Sequence, residues 1–372
     1  MKAILKFKGP VLIGGKKAAN NFIESIDYIP GSYIRAALAQ YIYLNCHINN
    51  KNEKLFWVEY KNQEECEKCS LQNMCINFNN IKFSFFYPKG TKVASLSQMI
   101  CKNNSSHGFF ETLLGQYSCN ICPQGNNRIE KYTGYIFEGR PYKKLEKKII
   151  TRTAVDNYTR VSKIHNLYTL VAIEKTCDEG NIFEGYIYGI KKEDIEGINI
   201  MIGKYTSSGY GWANISIIEE NESKYDKHEY INKIIEFSNK YKQINKITDN
   251  NIYLAIKFNA DILFDIKLQN KYYSTDEYKN MFSEAINLPD IFNIEKLYTE
   301  VYDYRGFDTS SNGNPTRKPF KKIASKGTLM VLSSQKTIEE IYNNLVANDA
   351  LGQETENGYG KYEVYFGGVN SD

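Results

Sequence analysis

No uninterrupted apolar run in this chain approaches the ~18 residues that a membrane-crossing helix needs. The opening Met1-Lys2-Ala3-Ile4-Leu5-Lys6 has neither the apolar core nor the cleavage site of a secretory signal. It is expected to form a first β-strand in a soluble, cytoplasmic protein. Charge of one sign is also lacking, because 47 basic and 43 acidic residues leave a net charge of only +4, which excludes a bulk polycation. Histidine occurs four times, at His47, His107, His165 and His228, so general acid–base chemistry has few places to reside. Two glycine-rich loops occur, but neither is followed by Gly-Lys-Ser/Thr, and nucleotide hydrolysis of the P-loop kind is unsupported.

At 372 residues, 42% of them apolar, the chain suits two domains with sizeable cores. Its charge is unevenly spread. Residues 128–163 hold ten Lys/Arg (among them Lys143, Lys147, Lys148, Arg152, Arg160 and Lys163) against four acids, a local +6. Residues 315–326 hold Arg317, Lys318, Lys321, Lys322 and Lys326 with no acid. Local basic stretches in a near-neutral protein suit a polyanion held in one groove, and either stretch alone equally suits a solvated loop. The 30 Tyr accompany abundant Asn, Lys and Ile, the composition of an AT-rich coding sequence, so they carry no argument for base stacking.

One pattern occurs twice. Gly203-Lys-Tyr-Thr-Ser-Ser-Gly209-Tyr210-Gly211 precedes the strand-like Trp212–Ile218, and Gly352-Gln-Glu-Thr-Glu-Asn-Gly358-Tyr359-Gly360 precedes the strand-like Lys361–Phe366. An apolar residue, Ile202 or Leu351, stands before each. Lys6-Phe7-x3-Val11-Leu12-Ile13 is likewise echoed by Lys257-Phe258-x3-Ile262-Leu263-Phe264. Each first strand thus opens a segment that closes on a glycine loop and a strand, as in a duplicated domain. The expected division is 1–218, 219–250 as a connecting segment with a helix over Glu229–Tyr241, and 251–372. The first copy carries an insertion of about 46–165, rich in cysteine and basic residues. A strand, a helix, further strands and a glycine loop in about 120 residues predict an α+β fold of two ferredoxin-like domains.

The glycines allow φ > 0 and could bring amide N–H groups of Gly203, Gly209, Gly211, Gly358 and Gly360 to an anion. Ser207 and Ser208 could add hydroxyl donors, and Tyr210 and Tyr359 offer rings for stacking. The plainer alternative is a tight turn before an edge strand.

Ile29-Pro30-Gly31-Ser32-Tyr33-Ile34-Arg35-Ala36-Ala37-Leu38-Ala39 resembles the "IPGSxIRGAL" segment of the RAMP superfamily of CRISPR–Cas proteins. Physically it is a helix start: Pro30 and Gly31 turn the chain, Ser32 can cap, and Ile34, Leu38 and Ile42 face a core. Phe83-Ser84-Phe85-Phe86-Tyr87-Pro88 is similar to the family's strand before its cysteine region. His107–Leu113 with Cys119-x2-Cys122-Pro123, and Thr153-Ala154-Val155-Asp156, resemble the subtype III-D member, the Csx-ten (Cas-five-like) group. Leu167-Tyr168, Phe183-x-Gly185 and Pro315–Val331 follow in the same order, so the likeness spans nearly the whole chain. It departs from the family at Ala36, usually Gly, at Lys326-Gly327-Thr328, commonly Ala-Gly-Ser, and at Asn157-Tyr158, where Arg is frequent.

The resemblance implies two RNA-recognition-motif-like domains in a non-catalytic subunit of a type III antiviral effector complex. Such a subunit grips the repeat-derived 5′ tag of the guide RNA beside the large signalling subunit and the backbone subunits. The implied RNA contacts here are Arg35, Arg152, Arg160 and Lys163, the glycine loops with Ser207, Ser208 and Tyr359, and the basic pair Arg317 and Lys318. A single-stranded tag is held mainly by backbone grip and stacking.

Six of the eight cysteines lie close together as Cys66-x2-Cys69-x5-Cys75, Cys101 and Cys119-x2-Cys122. In a cytosolic protein this spacing argues for metal before disulfides, and four thiolates at tetrahedral geometry suit a structural zinc. The two Cys-x2-Cys pairs can share one site or belong to separate ones, with Cys75 or Cys101 as further ligands and His107 as a weaker one. Cys46 and Cys177 stand alone, as packing residues do.

An endoribonuclease of the same fold is the alternative function, acting on guide precursor or target RNA. His47, just after the first helix, or His165 in the basic segment would then be the general base. Subunits of this superfamily that cut target RNA use an early-loop aspartate, for which Asp27 is the nearest acid. It could equally favour the helix N-terminus beside it.

Overall fold

The computed structural model describes residues 1–19, 21–46, 58, 60, 64–142, 144–219, 226–266, 273–308 and 316–367. They form an α+β protein of many short strands and few helices. In chain order the elements used below are β1 (Lys2–Phe7), α1 (Gly31–Asn45), β2 (Lys82–Phe83), β3 (Gln98–Cys101), β4 (Phe109–Glu111) and β5 (Ile129–Lys131). Then come β6 (Glu146–Val155), β7 (Ser162–Lys175), β8 (Asn181–Tyr188), β9 (Asn199–Met201), β10 (Trp212–Ile218) and α2 (Lys227–Asn245). The remainder are β11 (Ile252–Phe258), β12 (Ile262–Phe264), α3 (Thr275–Ala285), β13 (Asn293–Tyr298), β14 (Val301–Tyr304), β15 (Lys321–Ala324), β16 (Leu329–Ser334), α4 (Ile338–Ala347) and β17 (Tyr362–Tyr365).

The chain divides into two compact units. One is Met1–Gly90, Lys143–Asn221 and Phe307–Thr316; the other is Thr91–Tyr142, Glu222–Gly306 and Arg317–Asp372. Residues 91–142, expected within the insertion of the first domain, therefore fall in the second unit, and so does α2 from the expected connecting segment.

The first unit is built on a sheet of order β9-β10-β1-β8-β2, with antiparallel neighbours throughout. Alternation along β1 explains its placement: Ala3, Leu5 and Phe7 point into the core and Lys2, Ile4 and Lys6 point away. Against the inward face packs α1 through Ile34, Ala37, Leu38 and Ile42. The helix begins at Gly31 with Pro30 as its cap residue and no side-chain cap, so Ser32 lies inside the first turn and does not cap it as expected. Pro30 serves there because its fixed φ suits a helix entrance and it has no N–H to satisfy.

The second unit repeats the plan with order β13-β16-β11-β17, again antiparallel. Its β11 reads as a nearly continuous apolar run because both of its faces are buried. Leu254, Ile256 and Phe258 meet α3 and α4, both started by capping boxes, Ser274 with Glu277 and Thr337 with Glu340. Tyr253 and Ala255 meet Phe237 and Tyr241 of α2, together with Leu113. The buried stripe of α2 is Ile234, Phe237, Ser238 and Tyr241, while Ile235 is 41% exposed. Stripes of this kind supply most of a unit's stability, at about 1.5–3 kcal/mol for each large apolar side chain fully buried.

Numbered within each unit, the four central strands lie in the same spatial order, 4-1-3-2: β10-β1-β8-β2 and β17-β11-β16-β13. The helix after the first strand is long in both units. The helix before the fourth strand is α4 in the second unit but a single turn, Lys192–Ile195, in the first.

Candidate nucleic-acid interface and metal centre

The two glycine loops are superimposable in their backbone chemistry. Tyr205 and Glu354 are both left-handed (φ +61° and +54°), and each leads into one 3-10 turn, Thr206–Ser208 or Thr355–Asn357. The Ile202 amide donates to the Gly211 carbonyl at 2.9 Å, and the Leu351 amide to that of Gly360 at 3.0 Å. Gly211 N–H donates to Pro10 O, and Gly360 N–H to Asp261 O, in the segment after each unit's first strand. The glycines are required by this self-contact. A Cβ on Gly211 would lie 1.9 Å from Ile202 O, and one on Gly360 would lie 1.7 Å from Leu351 O. A Cβ on Gly203 would lie 2.5 Å from Leu12 O. The amides of Gly211 and Gly360 are therefore spent inside the chain, and Tyr210 and Tyr359 are 6% and 3% exposed, which removes their faces from stacking on a base. Gly209 differs, with nothing within 4 Å of its Cβ position, and it lies with exposed Ser207 and Ser208 at the loop's outer edge.

Each unit also extends a β-hairpin between its second and third central strands. In the first unit β6 pairs with the long β7, and Val11 bridges Ile173 at the hairpin base. In the second, β14 pairs with β15, and Ile262 of β12 pairs with Ala324. Val11 and Ile262 hold the same place in the repeated Lys-Phe-x3 pattern, so the hairpins are equivalent. Parts of both basic runs lie on them: Lys147, Lys148, Arg152 and Arg160 on the first, Arg317, Lys318, Lys321 and Lys322 on or beside the second.

Several of these cations are already partnered. Lys147 Nζ lies 2.6 Å from Glu24 and 2.8 Å from Asp27, Lys148 pairs with Glu174, Lys321 with Glu354 and Lys322 with Asp303. The local charge is thus smaller than the residue count suggests. Arg152 instead lies over tyrosine rings, 5.9 Å from the centroid of Tyr205 and 5.6 Å from that of Tyr210, and Tyr205 stacks on Tyr168 at 6.5 Å. This joins the first hairpin to the first glycine loop through an arginine–tyrosine cluster. Burial pushes the Tyr205 phenol pKa up, Tyr168 adds to the rise, and Arg152 opposes it. At the hairpin tip, Asp156 Oδ1 accepts from the amides of Tyr158 and Thr159 at 2.9 and 3.0 Å and from the Thr159 hydroxyl. This turn leaves Tyr158 96% exposed and Arg160 in the left-handed region at φ +58°. On the second hairpin Arg305 covers exposed Phe320 at 4.6 Å and its Nε donates to Lys318 O. None of Tyr168, Tyr205, Arg305 and Phe320 was expected from sequence to meet an arginine or RNA, because an arginine far from an aromatic in the chain gives no sign that the two stack.

The other candidates lie elsewhere. Arg35 donates to Ile81 O at 2.5 Å and Phe78 O at 3.3 Å and sits 5.1 Å above the Phe83 ring, stapling α1 to the chain ahead of β2. Asp27 is ion-paired with Lys147, whose charge Asp27 and Glu24 sustain against the opposing effect of burial. His47 and the side chains of Lys163 and His165 lie outside the described residues.

A separate cluster gathers Cys101, His107, Cys119 and Cys122, whose ligand atoms all lie within 4.8 Å of one another. Its scaffold is the small sheet β4-β3-β5. Cys101 ends β3, and a turn in which Asn104 Oδ1 caps Ser106 presents His107. Cys119 and Cys122 flank the turn before β5, where Cys119 N–H donates to Asn127 O. Cys101 Sγ and Cys122 Sγ are 3.5 Å apart, and His107 Nδ1 is 3.4 and 3.5 Å from the sulfurs of Cys119 and Cys122. A tetrahedral ion bound at about 2.3 Å to sulfur and about 2.0 Å to nitrogen would space its ligands about 3.5–3.8 Å apart, so this set could hold one. Burial works against the Cys101 thiolate, but amides of Asn104 and Asn103 and the neighbouring thiols outweigh it and bring its pKa down to about 6. Burial, with Cys101 beside it, pushes Cys122 up to about 11. Cys66, Cys69 and Cys75 lie on or beside the short helical turns Glu64–Glu67 and Gln72–Asn77 and are not in this cluster.

No family model and no curated protein matches this chain. Among solved structures it is similar to a chain of the Type III-B Cmr-beta complex bound to cognate target RNA, at 12% identity and TM-score 0.44, over 92% of this chain and 89% of that one. It is similar at 13% identity, the same coverage and TM-score 0.44 to a chain of that complex bound to cognate target RNA and AMPPnP. A chain of the apo complex is 12% identical with TM-score 0.26, covering 59% of this chain and 97% of that one.

Proposed function

We propose that this protein is a non-catalytic, guide-RNA-binding scaffold subunit of a type III CRISPR effector complex, most like the subtype III-D Csx-ten group. In this reading it consists of two ferredoxin-like domains. The observation that carries it is the duplication: two antiparallel sheets of strand order 4-1-3-2, each with the same glycine loop and the same basic hairpin. That order is the one expected of a split βαβ unit. The ordered segments from Ile29–Ala39 to Pro315–Val331 supply the family, and the hairpins supply the chemistry. Arg152 on its tyrosines, Arg160 and exposed Tyr158 offer guanidinium and ring planes to a single strand. The Cys3His cluster is assigned a structural zinc, with no ligand position left open for catalysis.

The test is to co-express the tagged chain with its genomic neighbours and sequence the RNA that co-purifies. Short RNAs sharing one repeat-derived 5′ end, in a complex with other Cas subunits, are expected. Recovery of neither RNA nor partners overturns the scaffold role. RNA cleavage by the isolated chain that is lost in His47→Ala, His165→Ala or Asp27→Ala establishes the endoribonuclease instead.

A further inference from the structure

The two units treat one face of their sheets in opposite ways. Register makes the comparison residue by residue, because Lys6-Phe7 and Lys257-Phe258 are equivalent. In the second unit the face carrying Tyr253, Ala255, Leu329 and Val331 is dry, each residue at most 4% exposed, and α2 packs on it. In the first unit the same face carries Lys2, Ile4 and Lys6 on β1. Opposite them stand Tyr186, Glu184 and the buried Ile182 on β8, and Asn214, Ser216 and Ile218 on β10. Tyr188 lies beyond Tyr186, and Trp212 lies beyond Asn214.

Lys6 is exposed where its equivalent Lys257 is 6% exposed, Trp212 is 40% exposed and Ile218 38%. A charged residue stands at Lys2 and at Glu184 where the second unit has Tyr253 and Val331. A dry apolar helix does not fit over the exposed Lys6, whose charge would cost several kcal/mol to bury unpaired. What does fit is an occupant that is itself flat, polar and anionic. Tyr186 and Tyr188 are stacked at 6.2 Å and 16°, presenting adjacent rings along one strand. Trp212 lies six residues along the strand direction from the level of Tyr186, on the order of 20 Å away. Lys6 lies between them, and Lys82 pairs across from Tyr188. Lys2 and Glu184 are 3.4 Å apart, and Glu184 also accepts from the Gly90 amide, so its charge is met within the sheet.

We propose that the outward face of the β10-β1-β8 sheet is a second binding surface for single-stranded RNA, separate from the basic hairpins. Bases stack on Tyr186, Tyr188 and Trp212 while Lys6 and Lys82 meet phosphates. The choice of RNA as ligand rests on the function proposed above; the flat, polar, lysine-flanked aromatic surface does not.

The experiment uses the full chain carrying Trp57→Phe, which leaves Trp212 as the single tryptophan. It is titrated with a 20-nucleotide oligouridine while Trp212 fluorescence and total binding by anisotropy are followed. Saturable quenching of Trp212 is expected, with affinity falling about fivefold to more than a hundredfold in Tyr186→Ser/Tyr188→Ser. Tyr186→Phe/Tyr188→Phe keeps the rings and is expected to restore affinity, which separates stacking from a folding defect. If RNA binds with Trp212 unchanged and the serine variant binds as tightly as the parent, while Arg152→Ala/Arg160→Ala does not, this surface is overturned and the hairpin reading stands. Binding lost in neither variant also overturns it. Absence of any RNA binding overturns both.

Discussion

Alanine at Gly211 and alanine at Gly209, made separately, distinguish a glycine required for space from one required only for its backbone angle. Both residues have positive φ, +71° and +87°, and both would strain an L side chain by about 1 kcal/mol. For Gly209 that is the whole cost, since nothing lies within 4 Å of the new Cβ. For Gly211 the Cβ would be placed 1.9 Å from Ile202 O, and Ile202 is wholly buried. Relieving that overlap needs a shift of more than an ångström, by general contact distances. Such a shift breaks the Ile202 N–H bond to Gly211 O and the Gly211 N–H bond to Pro10 O, each worth about 1 kcal/mol. The expected cost of Gly211→Ala is therefore about 3–4 kcal/mol against about 1 for Gly209→Ala. Gly360→Ala, 1.7 Å from Leu351 O, should match Gly211→Ala. Urea unfolding of the full chain, read by hydrogen exchange so that each unit reports separately, is the assay. Faster opening is expected in the first unit for Gly211→Ala and in the second for Gly360→Ala. A Gly211→Ala loss no larger than that of Gly209→Ala would refute the claim that these glycines serve the loop's own backbone.

Lys257→Ala should destabilise the second unit by about 1–3 kcal/mol, because it strands Val93 O, which accepts from Lys257 Nζ at 3.0 Å, while half-exposed Glu363, its ion-pair partner at 2.7 Å, regains water. Lys6→Ala, at the same repeat position but exposed, should change stability by less than about 0.5 kcal/mol, and equal effects in denaturant melts would contradict the comparison. Purified protein should carry one zinc on the Cys3His cluster, measured by metal analysis. Its removal by chelator, or Cys119→Ser, should speed amide exchange across 98–131 and leave β11 and β16 protected; a metal-free protein with slow exchange there would oppose the assignment. Asp156 has its carboxyl pKa held below the usual range, first by the Thr159 amide and then by that of Tyr158. The carboxylate therefore supports the hairpin turn above the unfolded pKa of about 3.9 and stops doing so as pH falls through the lower folded value. Tyr158 and Thr159 amide shifts in NMR should titrate below pH 3.8, and a midpoint at or above that value would argue against these hydrogen bonds.

What was legible in the sequence was local or repeated. The Gly-x5-Gly-Tyr-Gly spacing follows from positive φ at its glycines and from close backbone approaches at Gly203, Gly211, Gly352 and Gly360, so it recurs in both copies and can be seen without a structure. The strand Trp212–Ile218 follows from alternation, and the helix at Gly31 from the Pro-Gly turn with Ile34, Leu38 and Ile42 at helical spacing. Side-chain partnerships over long separations were not legible. The resemblance implies Arg35 as an RNA contact, yet its fork is filled by the carbonyls of Phe78 and Ile81, more than forty residues away. The unit boundary was hidden for the same reason. Residues 91–142 interrupt the first unit in sequence, and only contacts such as the Leu96 amide with Gly327 O or Lys257 Nζ with Val93 O, the latter 164 positions apart, reveal their grouping. His107 ranked below the cysteines as a ligand because it lies outside the Cys-x2-Cys pairs; the β3–β4 turn brings it in.

The repeat also separates structural from chemical demands at one and the same position. Tyr205 and Glu354 share a left-handed backbone, the same 3-10 turn and the same pair of glycine contacts. Yet Tyr205 lies beneath Arg152 and stacks on Tyr168, while Glu354 binds Lys321. Whatever the loop backbone does must be common to both units, and holding the fourth central strand against the segment after the first is sufficient to explain it. Whatever the side chains do must differ. The first loop leaves a guanidinium and two rings in one cluster, whereas the second consumes its nearest lysine in an ion pair. Under the proposed function, a polyanion gripped by stacking is expected at the first loop and its hairpin. Arg152→Ala should weaken RNA binding more than Lys321→Ala, and the reverse order would mean that the repeat's second hairpin carries the grip.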